Sequence, residues 1–281
     1  MKVAVITDEI SMDIEHALDV MREYGASSAE LRSIWDKNIT DLPSDDVARV
    51  RRIVQDKGFT VCCIASPFFK CELGDERTGD LGMTHQARER AFSEQKDLLE
   101  RCFRLADTFG TNLVRVFSFW RRKEMTPELQ HRIVEEFAEP VAMAEKAGKI
   151  LALENEHACY LGTGAETVPV LRQISSPWLR AVWDPGNSFA AGGEVPYPDG
   201  YKGIREYIVH VHLKDAVRRP DGKARFVVMG EGEIDYRGQF AALRADRYDG
   251  YLSLETHYAP EGGTKEEGSR QCLAALREML K

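Results

Sequence analysis

Several things are missing from this 281-residue sequence. No apolar run approaches the roughly 18 residues that a membrane-spanning helix requires. The opening segment, MKVAVITDEI, has no apolar stretch of the kind found in a secretory leader. None of the six cysteines (Cys62, Cys63, Cys71, Cys102, Cys159 and Cys272) belongs to a CxxC pair, which excludes zinc-ribbon and thioredoxin-like spacings. Positive charge is not in excess either. The formal net charge is -8, with acids and bases interspersed, so the basic face of a duplex nucleic-acid binder is lacking. There is no low-complexity segment, no linker and no clear repeat. These absences set the expectation of a reduced, soluble, cytoplasmic protein, one domain over residues 1–281, with neither membrane nor nucleic acid as partner.

What is present is an alternation. Short β-branched runs take turns with segments of helical period. The runs are KVAVIT, SSAELRS, FTVCCIAS, TNLVRVFS, KILALENE, LRAVWDPGN, YIVHVHLK and GYLSLETH. Between them lie segments such as IEHALDVMREYG and PSDDVARVRRIVQDKG, each stopped by glycine. A long helix is predicted from about His85 to Thr108, with Phe92, Leu98, Leu99, Cys102, Leu105 and Phe109 as its buried stripe. Thr126, Pro127 and Glu128 read as an N-cap, a first-turn proline and a first-turn acid. That helix is predicted to reach Gly148 with a kink at Pro140. After LRAVWDPGN the sequence is Gly/Pro-rich and poorly periodic to about Gly203, and the stretch after Lys214 reads as a long loop. The strands are apolar almost throughout, as in a parallel sheet covered on both faces. Eight such strands over this length predict an α/β fold, a single (β/α)8 TIM barrel with parallel strands; a doubly wound open sheet is the alternative.

In a TIM barrel the chemistry sits at the C-terminal ends of the strands. Four consecutive predicted strands end in, or carry near their ends, Glu154, Asp184, His212 and Glu255. A lone carboxylate at such a place is more often a helix cap or an ion-pair partner. Three acids and one imidazole converging on an apolar core are harder to dismiss, because unpaired buried charges are costly. A divalent cation would resolve the repulsion, and oxygen ligands with one nitrogen suit Mn²⁺, Mg²⁺ or Co²⁺, with Zn²⁺ an option. His210 shares a strand face with His212 but lies about 6–7 Å further down it, and reads as a deeper pocket or core residue.

The segments LALENEH, VWDPGN, HVHLKD, GEGEID and LSLETH resemble those of the xylose-isomerase-like TIM-barrel superfamily, which includes sugar (phosphate) isomerases and epimerases. The resemblance extends over essentially the whole chain. It implies a single divalent metal ion, Mn²⁺ first, held by Glu154, Asp184, His212 and Glu255. It also implies a small carbohydrate substrate, a keto-sugar or related polyol with or without phosphate, and is compatible with a homo-oligomer. In such enzymes two metal-bound glutamates, here Glu154 and Glu255, remove and return a proton beside a carbonyl through a metal-stabilised cis-enediolate. Arg218 stands where sugar epimerases of this family place a substrate-binding arginine. Lys214, Glu156, His157, Asn187 and His257 are further candidates for substrate oxygens. Trp35, Phe68, Phe119 and Trp120 could form an apolar wall. Gly230 and Gly232 allow close backbone approach, a weak cue for a phosphate cradle, and Asp235 can cap the helix that follows.

One departure stands out. Many sugar epimerases carry His three residues after the aspartate ligand, where this chain has Asn187. Three rivals share the scaffold. An endonuclease IV-like repair enzyme needs a three-zinc cluster with more histidines than these strand ends offer. An inosose dehydratase or 3-dehydroshikimate dehydratase begins with the same proton removal. A non-catalytic barrel would show a damaged ligand set.

Overall fold

In the computed structural model, residues 1–74, 84–88 and 90–281 are described. Among them, eight parallel strands close into a barrel: Lys2–Ile6, Ser28–Leu31, Thr60–Ala65, Leu113–Val116, Ile150–Glu154, Leu179–Trp183, Ile208–Leu213 and Tyr251–Leu254. They are numbered here as barrel strands one to eight. Closure is made by strand one, which pairs with strand eight (Lys2 with Tyr251, Val5 with Leu254) and with strand two (Ala4 with Ser28). The open-sheet alternative is therefore set aside. Strands three, five and six are buried along nearly their whole length, as continuous apolar runs in a helix-covered sheet require.

The helices follow their sequence cues closely. Ile14–Glu23 is capped by Asp13, whose side chain accepts the Glu15 N–H. Pro127–Ala147 is capped by Thr126 and ends at Gly148 with φ 65°, the left-handed stop that glycine adopts without strain. Pro140 lies inside this helix, buried, and the helix runs on past it. The closing helix, Lys265–Met279, starts with a reciprocal capping box between Thr264 and Glu267.

Three readings are corrected. The helix expected from about His85 begins at Gln95, preceded by a 3-10 turn over Phe92–Glu94. His85 and Gln86 have φ of 50° and 57°, which no helix accommodates. The His85 carbonyl is instead held by Ser33 Oγ at 2.8 Å, and Arg88 N–H by Asp41. Second, the stretch after Asp184 contains a short helix, Pro185–Ala191, too brief to show a period. Third, the stretch after Lys214 folds into an antiparallel hairpin, Asp215–Arg218 against Ala224–Val227. No helix among the described residues is long and apolar enough to cross a membrane. All six cysteines are buried.

Candidate metal centre

Strands five to eight are neighbours around the barrel in that order. Their ends deliver Glu154, Asp184, His212 and Glu255, all buried, with one donor atom from each within 4.8 Å of the others. His212 is central. Its Nδ1 lies 3.4 Å from a Glu154 oxygen, 3.7 Å from Glu255 and 3.8 Å from Asp184, and it makes no hydrogen bond. Its other nitrogen, Nε2, lies 3.1 Å from both oxygens of Glu30.

Each acid also has a structural engagement. Asp184 is the N-cap of helix Pro185–Ala191, with Oδ1 accepting the Asn187 N–H at 2.8 Å. Its second oxygen is 2.7 Å from Lys214 Nζ. Glu154 accepts from Asn187 Nδ2 at 3.0 Å and pairs with Arg115 at 3.2 Å. Glu255 is held by Arg32 at 2.6 Å and by the Lys214 ammonium. Repulsion among the acids is thus already answered by Lys214, Arg32 and Arg115, and charge balance alone does not require a metal. What points to a ligand is the chemistry of the donor set: an unpartnered imidazole nitrogen facing three carboxylates.

The electrostatics follow from burial against pairing. Burial raises the Asp184 carboxyl, and Glu154 and Glu255 add to that, outweighing Lys214. Burial acts the same way on Glu255, but Lys214, His257 and Arg32 override it and hold the carboxyl well below its usual range. Burial opposes the charge of Lys214, yet Asp184 and Glu255 keep it protonated. His212 is pushed well up by Glu30 and Glu154 against its own desolvation.

Gly186 is required by this packing. A Cβ there would sit 2.7 Å from the Lys214 carbonyl and would also overlap its side chain, so the tight DPG turn is what lets Lys214 lie against Asp184.

The other expected contacts divide. Asn187 joins the site, and its Oδ1 accepts from His157 Nδ1 at 3.0 Å. His157 is 3.0 Å from Glu156, which also faces Lys70 at 3.5 Å. His157 opens to solvent, its side chain 41% exposed. The His257 ring lies 3.4 Å from Glu255, and its backbone N–H donates to Glu9 at 3.0 Å. The Arg218 guanidinium binds the Gly222 carbonyl at 3.0 Å and the Phe189 carbonyl, over the Phe189 ring. The hairpin that carries it was unreadable as a loop, and it turns this side chain to local partners. The glycine loop is corrected. The amides of Gly230 and Gly232 donate to Asp215 at 2.8 and 3.0 Å, so the cradle holds a carboxylate of the chain itself. Asp235 caps the next helix as expected, through Gly238 N–H at 2.8 Å. Nor do the aromatics form one wall. Phe68 and Phe119 pack on Phe69, whereas Trp120 packs with Phe117 and Cys159.

Sequence reasoning missed the first half of the barrel. Arg32, wholly buried, gathers Asp8, Glu9 and Glu255. Glu30 gathers His210 at 2.8 Å, His212, and Ser253 at 2.6 Å. A signal was available: Glu30 and Arg32 are two apart in the predicted strand SSAELRS, so both turn to one face.

An inosose dehydratase of Klebsiella pneumoniae is 31% identical over 134 residues, covering 40% of this chain and 45% of its own. The L-ribulose-5-phosphate 3-epimerase UlaE of Escherichia coli is 24% identical over 160 residues, 57% of this chain and 55% of its own. The chain thus spans about half the length of the curated relatives it matches. Among solved structures, the IOLI protein with a binding zinc atom has a TM-score of 0.74 at 17% identity, covering 100% of this chain and 98% of that one. A xylose isomerase-like TIM barrel protein of Mycobacterium smegmatis in complex with magnesium has a TM-score of 0.69 at 17% identity, over 95% and 89%. Residues 18–279 match the model of the xylose isomerase-like TIM barrel family, and with eight parallel strands converging their polar ends in one barrel mouth, the chain belongs to that family.

Proposed function

We propose that this protein is a divalent-metal-dependent isomerase or epimerase that moves a proton beside the carbonyl of a small keto-sugar or related polyol. The observation that carries the reading is His212 Nδ1, buried, without a hydrogen bond, and facing one oxygen from each of three carboxylates. Glu154, Asp184, His212 and Glu255 would hold the ion, Mn²⁺ first, with Mg²⁺, Co²⁺ and Zn²⁺ as alternatives. When bound, the ion supplies Lewis acidity to a substrate carbonyl oxygen. The protein's own residues do the rest. Glu154 and Glu255 end the outer two of the four strands, so they flank the others. One takes the proton from the carbon beside the carbonyl; the other returns it, to the opposite face or to the adjacent carbon. Lys214, held charged between Asp184 and Glu255, donates to a substrate oxygen. Asn187 and His157 line the approach. The epimerase relative supports the class.

A dehydratase is the second reading, favoured by the inosose dehydratase relative and by His157. Burial opposes the charge of that imidazole, but Glu156 and Asn187 raise it above its ordinary value. It is a mouth-facing acid suited to protonating a departing hydroxyl. On either reading, proton exchange beside the carbonyl comes first.

The test is a Mn²⁺ titration followed by EPR on chelator-stripped wild type, His212→Ala and His210→Ala, then incubation with ketoses, ketose phosphates and inosose in D₂O. One site per chain, weakened at least a hundredfold in His212→Ala, supports the metal reading. Deuterium at the carbon beside the carbonyl without loss of water supports the isomerase; loss of water supports the lyase. No Mn²⁺ site in wild type ends both.

A further inference from the structure

Resting on the metal reading above, we infer that Glu30 is a positioning residue that fixes the tautomer of His212 from beneath, with His210 and Ser253 holding Glu30 in place. Glu30 sits on strand two and reaches across the barrel interior to strands seven and eight. It is wholly buried. A carboxylate can only accept, and this one faces His210 Nε2 at 2.8 Å, His212 Nε2 at 3.1 Å and Ser253 Oγ at 2.6 Å. Three donors on one acid leave each imbalance expensive in so dry a place.

The consequence for His212 is directional. In the neutral ring that binding a cation requires, Nε2–H directed at Glu30 leaves the Nδ1 lone pair to face Glu154, Asp184 and Glu255. Without Glu30, nothing among the described contacts of Nε2 would keep the proton there. The ring would be free to carry it on Nδ1, where three carboxylates would receive it, and that tautomer has no lone pair to offer a cation. Carboxylate-oriented histidines are a general device of metal sites.

The role of the twin histidines follows. His210 packs edge-on to His212, centroids 5.3 Å apart, and its Nδ1 has no hydrogen-bond partner. Its contact to the upper cluster runs through Glu30. His210 and Ser253 share the Oε2 oxygen, so they pin the carboxylate from one side while His212 meets both oxygens.

The experiment compares wild type with Glu30→Gln and Ser253→Ala, the folded state of each checked by circular dichroism. Mn²⁺ affinity is read by EPR. Histidine protonation sites are read by long-range ¹H–¹⁵N spectra of the Zn²⁺-loaded protein. The expected result is a 10- to 100-fold loss of Mn²⁺ affinity in Glu30→Gln, a smaller loss in Ser253→Ala, and His212 protonated on Nε2 in wild type. No Mn²⁺ site in wild type overturns the metal reading and this inference with it. A wild-type site that Glu30→Gln leaves within twofold overturns this inference alone. Should Glu30→Gln not fold, the wild-type spectrum decides: a proton on Nδ1 of His212 overturns the assignment, and one on Nε2 with weakened binding in Ser253→Ala upholds it.

Discussion

The two halves of the barrel are buried alike but hold different chemistry. Strands five to eight end in Glu154, Asp184, His212 and Glu255, donors that point at one another. The first half supplies what those donors lean on: Arg32 on Glu255, Arg115 on Glu154, Glu30 under His212, and Glu9 and Asp8 beside Arg32. The difference teaches that a site of clustered acids in a dry barrel is a joint product. One half displays the clustered donor atoms, and the other bears on their charge and orientation. Burial pushes the Asp184 carboxyl upward even with Lys214 beside it. Glu255, with Arg32 and Lys214 against it, stays ionised.

The comparison breaks most visibly at Arg32. Arg32→Met leaves Asp8, Glu9 and Glu255 facing one another without their shared cation. A loss of about 3–5 kcal/mol is expected by chemical denaturation, along with weakened Mn²⁺ binding. A loss below about 1 kcal/mol would show that the first half is mere packing.

Next comes the acid limb of the stability curve. Burial works to raise the Glu9 carboxyl, but Arg32, His257 and Lys265 hold it near 2, against an ordinary value of 4.5. A depressed carboxyl stabilises the fold at pH above its unfolded value, and that contribution fades as pH falls from about 4.5 toward 2. It amounts to about 3 kcal/mol. The difference in stability between wild type and Glu9→Gln should therefore shrink across that window. Parallel curves down to pH 2 would rule the pairing out.

Gly186→Ala sharpens the contrast within the second half. The new methyl meets Lys214, so about 1–3 kcal/mol should be lost, and Mn²⁺ should bind several-fold more weakly as Lys214 shifts against Asp184. An unchanged melting point and affinity would mean the turn relaxes freely.

The smallest effect is expected at Arg218. Its bonds are to the Gly222 and Phe189 carbonyls, so Arg218→Ala should cost less than about 1 kcal/mol and leave Mn²⁺ affinity within twofold. A tenfold loss of substrate affinity would return this side chain to the site.

How much of this was legible depends on the range of the interaction. The barrel was readable because each strand announces itself locally, as a short β-branched run between glycine-stopped helices. The four donors were readable because a strand end is a local position. Arg218 was placed by a spacing of six residues, which says nothing of the hairpin that carries it. Helix Pro185–Ala191 was missed because two turns carry no period. Glu30 and Arg32 were overlooked in the strand with the weakest pattern, although their spacing of two was in plain view.

The sequence by itself determined the parallel barrel and which strands end in the clustered acids and imidazole, since periodicity, caps and burial patterns are written in neighbouring residues. Only the tertiary structure decided that Glu30 meets His210, 180 residues away, and that Arg32 meets Glu255, 223 residues away. Those pairings fix which nitrogen of His212 faces the acids and which acid stays ionised. They depend on the register around a closed ring, a property of the whole barrel that no single strand encodes.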